Sequence, residues 1–253
     1  MIGLSVSQLS KSFAGLQAVQ AVSFEVKAGE LVALIGPNGA GKSTTFNMIN
    51  GQLPPDDGEV LLDGESLLGL TPQRVWRRGV ARTFQTAGIF GSMSVLENVQ
   101  MVLMSKGRRF SALLSRAYRY RRQEALTLLD QLDLGALAHH GCHTLAYADI
   151  KRVELALALA SEPSWLLMDE PTAGMAPAER KALMALTRSL AKQRELGVLF
   201  TEHSMDAVFG YADRVLVMAQ GRLIAAGTPT EIQANEAVQA VYFGQQPVIG
   251  AAS

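Results

Sequence analysis

Residues 31–44 read Leu31-Val32-Ala33-Leu34-Ile35-Gly36-Pro37-Asn38-Gly39-Ala40-Gly41-Lys42-Ser43-Thr44, and this stretch decides the fold. Five consecutive apolar residues, a buried-strand pattern, run into a glycine-rich turn, and the spacing predicts a helix over Lys42 to Asn50. Glycines let the main chain wrap close to phosphate oxygens, so that its N–H groups and the positive helix terminus point at them. In such a P-loop, Lys42 bridges the β- and γ-phosphates and the Ser43 hydroxyl holds Mg²⁺. The alternative, a glycine-rich turn with a surface lysine, does not account for the flanking strand and helix.

Outward from this loop, two patterns alternate. Val22 to Val26 reads as a strand, as do Gly58 to Asp63 and Val80 to Gln85. From Ser94 to Ala160 the apolar period becomes helical, with Leu126, Leu129 and Leu132 on one face. Strand character returns at Trp165 to Met168 and Val198 to Thr201, with helices expected over Ala178 to Arg194 and Met205 to Tyr211. A hairpin from Val215 to Ala225 should turn at Gln220 and Gly221, and Thr228, Pro229 and Glu231 should open a C-terminal helix with a capping box. The order predicts an α/β fold, a parallel sheet with helices on its faces. Within it, a core of residues 1–93 and 161–253 is interrupted by a helical subdomain over 94–160.

Composition narrows the function classes. A chain of 253 residues, 48% hydrophobic and 18% charged, can bury a sizeable core, which excludes disordered, collagenous and disulfide-scaffold classes. The single cysteine, Cys142, cannot bridge internally, so the chain reads as cytosolic. No run approaches the ~18–20 apolar residues of a membrane span and no targeting pattern opens the chain, so any membrane role is expected to be peripheral. With 23 basic and 23 acidic residues, a general polyanion binder is disfavoured. Lys106, Arg108, Arg109, Arg116, Arg119, Arg121 and Arg122 nevertheless form a run free of acids. It is either a solvated helical face or a contact surface for a partner or acidic lipid. His139, His140, Cys142 and His143 crowd one loop, too close together to wrap a tetrahedral ion without distant ligands.

Further candidate groups stand at strand ends, where ligands sit in parallel sheets. Asp169 and Glu170 close Trp165-Leu166-Leu167-Met168. Asp169 is placed to anchor the magnesium shell and Glu170 to polarise an attacking water. His203 follows the next strand, and Gln85 closes Val80-Ala81-Arg82-Thr83-Phe84 in the same manner. Phe13 is a candidate to stack on a base, or else a core aromatic.

In this order the motifs resemble the ATPase subunit of an ABC transporter over nearly the whole chain. Phe13 matches the adenine-stacking aromatic, Gly36 to Thr44 the Walker A loop and Gln85 the Q-loop, a further Mg²⁺ contact. Leu145-Ala146-Tyr147-Ala148-Asp149 matches the signature, Asp169 and Glu170 Walker B, Ala173 to Ala176 the D-loop and His203 the switch histidine. The Ala81 to Gln85 segment, the long basic insert after Val95 to Val99, Pro171 to Met175, Thr201-Glu202-His203, Ala226 to Pro229 and Tyr242 to Gly244 look most like the LivG-type group of branched-chain amino-acid importers. The resemblance implies ATP and Mg²⁺ as ligands and ATP hydrolysis as the activity. It also implies two membrane-spanning permease subunits, a second ATPase and an external solute-binding protein as partners, at the cytoplasmic face of the inner membrane. Nucleic acid is not expected, because this chain has neither long coiled coils nor two cassettes.

Two departures follow from the same comparison. The family signature usually reads Leu-Ser-Gly-Gly-Gln, whereas Ala146 lacks the serine hydroxyl and Ala148 puts a Cβ where the second glycine stands. The D-loop usually ends in Asp or Asn, here Ala176. Both segments act on the ATP held by the other subunit. Either the chain works in a heterodimer with two unequal sites, or backbone N–H groups at the start of a helix expected from Ile150 still cap the phosphate.

Overall fold

Leu31–Ile35 (β3) is buried at every position. In this computed structural model, which describes residues 3–83, 88–106 and 121–243, the strand lies between two parallel neighbours. Its side chains alternate between two apolar clusters: Leu31, Ala33 and Ile35 enter one, Val32 and Leu34 the other, as the two-residue strand period requires. Each fully buried Leu or Ile contributes roughly 1.5–3 kcal/mol. The strand that carries the glycine-rich loop is thus anchored in the core along its whole length.

Around it runs a six-stranded sheet in the order β10-β9-β3-β8-β7-β6. Its other members are Val80–Thr83 (β6), Trp165–Asp169 (β7), Gly197–Thr201 (β8), Arg214–Ala219 (β9) and Arg222–Gly227 (β10). All are parallel except β10, which folds back on β9. Gln220 and Gly221, both with positive φ (49° and 77°), supply the two-residue turn that matches strand twist. A second, antiparallel sheet, β2-β1-β4-β5, packs Val6, Val22, Phe24 and Val60 into the cluster that receives Val32 and Leu34. Its strands are Gly3–Phe13 (β1), Leu16–Lys27 (β2), Asp57–Leu62 (β4) and Glu65–Ser66 (β5).

Lys42–Ile49 (α1) follows β3, and Pro72–Arg77 (α2) precedes β6. Over 94–160 the described residues form Val95–Lys106 (α3), Arg122–Gln131 (α4) and Tyr147–Ala160 (α5), whose apolar faces join the cluster on the side of Leu31 and Ile35. Pro177–Arg194 (α6) and Met205–Tyr211 (α7) complete that layer. The expected C-terminal helix is two: Pro229–Gln233 (α8), capped by Thr228 and Glu231, and Glu236–Phe243 (α9). Asn235 divides them because its side chain accepts the Val238 N–H at 3.1 Å and starts a new helix. The strand expected over Val80 to Gln85 ends at Thr83; Gln85 lies outside the described residues.

Candidate nucleotide site

Parallel strands deliver their following loops to one edge of the sheet. After β3 the chain turns through residues 36–41. Gly41 has φ 101°, and a Cβ there would stand 2.5 Å from the Ala18 carbonyl oxygen, so glycine is required. It is the N-cap of α1, and no side chain caps that helix, which leaves its first N–H groups available to an anion. Lys42 Nζ donates to the carbonyls of Gly36 at 2.7 Å and Pro37 at 3.1 Å. Burial pushes its pKa down, while the carboxylates of Glu170 and Asp169 pull it up. The glycine loop and the end of β7 therefore share one electrostatic neighbourhood. Asn38, Gly39 and Ser43 are exposed, Thr44 is half-buried and Ala40 is buried.

At the end of β7, Asp169 Oδ1 accepts the Thr201 hydroxyl at 2.7 Å and Oδ2 accepts Arg82 Nη2 at 3.0 Å. A carboxylate has about four acceptor positions, so both oxygens retain capacity. These carboxylate oxygens, like the exposed Ser43 hydroxyl, are hard donors whose chemistry fits a cation such as Mg²⁺. Glu170 leaves the strand with φ 49°, its N–H shared between the Thr201 carbonyl and hydroxyl oxygens at 3.1 and 3.0 Å. That turn brings Glu170 Oε1 to 2.9 Å from His203 Nε2. Both side chains remain partly open to solvent, where a water can reach them.

Three contributors to this edge, Thr201, Glu202 and Arg82, were given no individual role by the sequence pattern. Thr201 joins the backbone at Glu170 to the carboxylate of Asp169. Buried Glu202 accepts the Thr172 N–H (2.8 Å) and hydroxyl (2.6 Å) on one oxygen and the His203 N–H (3.1 Å) on the other. It ties the turn after β7 to the segment after β8. Arg82 reaches Asp169 from β6. A buried cation in the apolar strand Val80–Thr83 and an acid directly before His203 were the available signals.

Phe13 sits at the tip of the β1–β2 hairpin, paired with Leu16, 45% exposed and with Lys11 Nζ 5.9 Å from its ring centre. β2 runs beside the glycine loop: Gly221 accepts the Gln20 N–H at 2.7 Å and donates to the Ala40 carbonyl at 3.1 Å. Cys142 is buried and accepts from Asn98 Nδ2 at 3.3 Å, while His143 Nδ1 lies 3.0 Å from the Gly91 carbonyl. Gly91 and Asn98 thus pack on the turn before α5.

Comparison with known proteins gives this edge a family. The family described as ABC transporter matches residues 19–173. The chain belongs to the ABC transporter ATP-binding family. A second family, branched-chain amino acid ATP-binding cassette transporter, matches residues 222–247. The high-affinity branched-chain amino acid transport ATP-binding protein LivG of Salmonella typhimurium is 40% identical over 249 residues, covering 96% of this chain and 98% of its own. The lipopolysaccharide export system ATP-binding protein LptB of Escherichia coli is 35% identical over 247 residues, 97% of this chain and 98% of that one. Among solved structures, the ADP conformation of MJ1267, an ATP-binding cassette of an ABC transporter, superposes with a TM-score of 0.85 at 30% identity, over 97% of this chain and 100% of that one. The cassette binds nucleotide and hydrolyses ATP as part of a transporter complex.

Among the described residues, none of the hydrogen bonds made by the cassette's signature and D-loop reaches its own P-loop. α5 begins at Tyr147, three residues earlier than expected, because extended Ala146 serves as its N-cap and Asp149 favours the first turn. Ala146 provides no side-chain cap, so the first N–H groups of α5 are available to an anion. Tyr147 donates its hydroxyl to the Ala173 carbonyl at 3.0 Å, which binds signature to D-loop. Beneath the tyrosine ring the buried pair Lys151–Glu154 closes at 3.0 Å, and burial pushes the Glu154 carboxyl up against the pull of Lys151.

Ala176 ends the D-loop as the N-cap of α6. Its N–H donates to Glu179 Oε2 at 3.1 Å, but the reciprocal half of a capping box is missing because alanine has no acceptor. Ala176→Asp is expected to stabilise the cassette by about 1 kcal/mol, read in thermal unfolding as a rise of roughly 2–4 °C. An unchanged midpoint would mean that this helix end is held by other means.

Proposed function

We propose that this cassette energises the import of branched-chain amino acids or related small polar solutes. The observation that carries its ATPase chemistry is the convergence of Lys42, Asp169, Glu170 and His203 on one sheet edge. ATP lies with its phosphates on the glycine loop and the start of α1, its β- and γ-phosphates on Lys42 and its base against Phe13. Ser43 and Asp169, with Gln85 as the family resemblance implies, would hold Mg²⁺, which would neutralise charge on the phosphates. Glu170 orients the attacking water and accepts its proton, and His203 holds the Glu170 carboxylate toward the γ-phosphate. The products are ADP and phosphate.

The match of residues 222–247 and the LivG relative support the importer reading. Residues 1–93 and 161–253 form the nucleotide-binding core, and 94–160 the arm that meets two transmembrane permease subunits. A cleft of about 370 Å³ between α2 and β6 on one side and α3 and α5 on the other, lined by Trp76, Arg82, Val102 and Glu154, offers the permease a seat. No helix among the described residues is long and apolar enough to cross a membrane, and attachment at the cytoplasmic face is through those permeases. An external binding protein delivers the solute. The same cassette serves an exporter in a permease of that kind, which the LptB relative keeps as the second reading. Co-purification from native membranes tests both: two multispanning proteins and a second ATPase, with a solute-binding protein required for turnover, are expected. Recovery with export components instead would overturn import.

We infer that the second ATPase is a different chain, because in a homodimer Ala146 and Ala148 would leave both composite sites without the serine donor. One lost donor at a phosphoryl site costs about 10²–10³-fold. Restoring serine at 146 and glycine at 148 is expected to raise hydrolysis by the assembled complex several-fold. Unchanged turnover would show that the N–H groups of α5 suffice.

A further inference from the structure

Arg82 lies on β6 beside Leu167 of β7, with its side chain only 9% exposed. Its guanidinium is divided between two tasks. Nη1 donates to Asn47 Oδ1 at 2.7 Å and Gln52 Oε1 at 3.0 Å, and Nη2 to Asp169 Oδ2 at 3.0 Å. The guanidinium carbon stands 5.8 Å from the centre of the Phe46 ring, so α1 supports it from beneath. Asn47 and Phe46 belong to the helix that begins with Lys42 and Ser43. One rigid fork therefore spans the helix bearing the hydroxyl donor and the strand bearing the carboxylate donor. Lysine could not do this, since a single ammonium cannot hold both partners in a fixed plane.

We propose that Arg82 is a positioning residue that sets the Asp169 carboxylate against α1, so that Ser43 and Asp169 present their oxygens to the cation at a fixed separation. The inference rests on the assignment of Asp169 as a magnesium-anchoring residue. Groups that orient a ligating carboxylate typically change metal affinity about 10- to 100-fold when removed. The hydrogen bonds to Arg82 and Thr201 fix one direction for each Asp169 oxygen and leave the others open.

The test is binding of a fluorescent ATP analogue to the full chain, titrated with Mg²⁺ and repeated in EDTA. Arg82→Gln is expected to raise the half-saturating Mg²⁺ about 10-fold while affinity in EDTA changes less than twofold. Arg82→Lys should fall between the two. A parallel loss in EDTA would make Arg82 merely structural and overturn the proposal. Should Arg82→Gln fail to fold, the double variant Asn47→Ala, Gln52→Ala keeps Arg82 but removes its other anchors. A rise of about threefold is expected from it, on the same principle, and no rise would overturn the proposal. Asp169→Asn separates the two layers. If it raises the Mg²⁺ requirement and the Arg82 variants do not, the positioning role falls; if it does not, the magnesium assignment falls and takes the positioning role with it.

Discussion

Replacing Glu170 with glutamine is expected to reduce ATP hydrolysis by the assembled complex about 10²- to 10⁴-fold, with ATP binding changed only a few-fold. The amide keeps the shape of the carboxylate, and its oxygen can still accept from His203 Nε2, which lies 2.9 Å from Glu170 Oε1. The left-handed turn at Glu170 is fixed by its main chain through Thr201, so the substitution leaves the backbone alone. What disappears is the capacity to take a proton from water. Single-turnover hydrolysis separates the two effects, and a loss below tenfold would assign the base elsewhere.

The second large effect is expected at Glu202, which touches no phosphate. Its carboxylate accepts the Thr172 N–H and hydroxyl and the His203 N–H, and it is 4% exposed. Removing an acceptor strands buried donors at about 1–3 kcal/mol each. Glu202→Ala should therefore destabilise the cassette by about 3 kcal/mol and lower turnover about 10²-fold, because His203 and the turn after β7 lose their common register. Glu202→Gln retains one oxygen and should show a smaller fraction of both losses. Urea unfolding beside steady-state hydrolysis would read them. A stable Glu202→Ala protein with normal turnover would show that the strand ends are aligned by the sheet alone.

At the signature, sequence pattern anticipated a helix start with free N–H groups but set it at Ile150 rather than Tyr147. Alanines at 146 and 148 read as lost contacts, and side chain by side chain they are. Yet α5 starts at Tyr147, with first-turn N–H groups that no side chain of Ala146 caps. A helix N-terminus depends on the dihedral angles of its cap, and Ala146 carries no side-chain signal for them. The division of the C-terminal helix at Asn235 is similar, since a local side-chain acceptor competed with helix continuation.

Read alone, the sequence established the strand–loop–helix at 31–49 and the order of alternating strands and helices, and it nominated the candidate phosphate-binding, carboxylate and histidine groups. These are local properties: apolar period, glycine at positions of positive φ, and polar residues at strand ends. Only the tertiary structure decided how those groups meet. Arg82 finds Asp169 across 87 residues, Glu202 finds Thr172 across 30, and Tyr147 finds Ala173 across 26. Each partner is chosen by the strand order β3-β8-β7-β6 and by the packing of α5 against the core. Sheet pairing fixes which strand ends are neighbours, and no spacing along the chain encodes that.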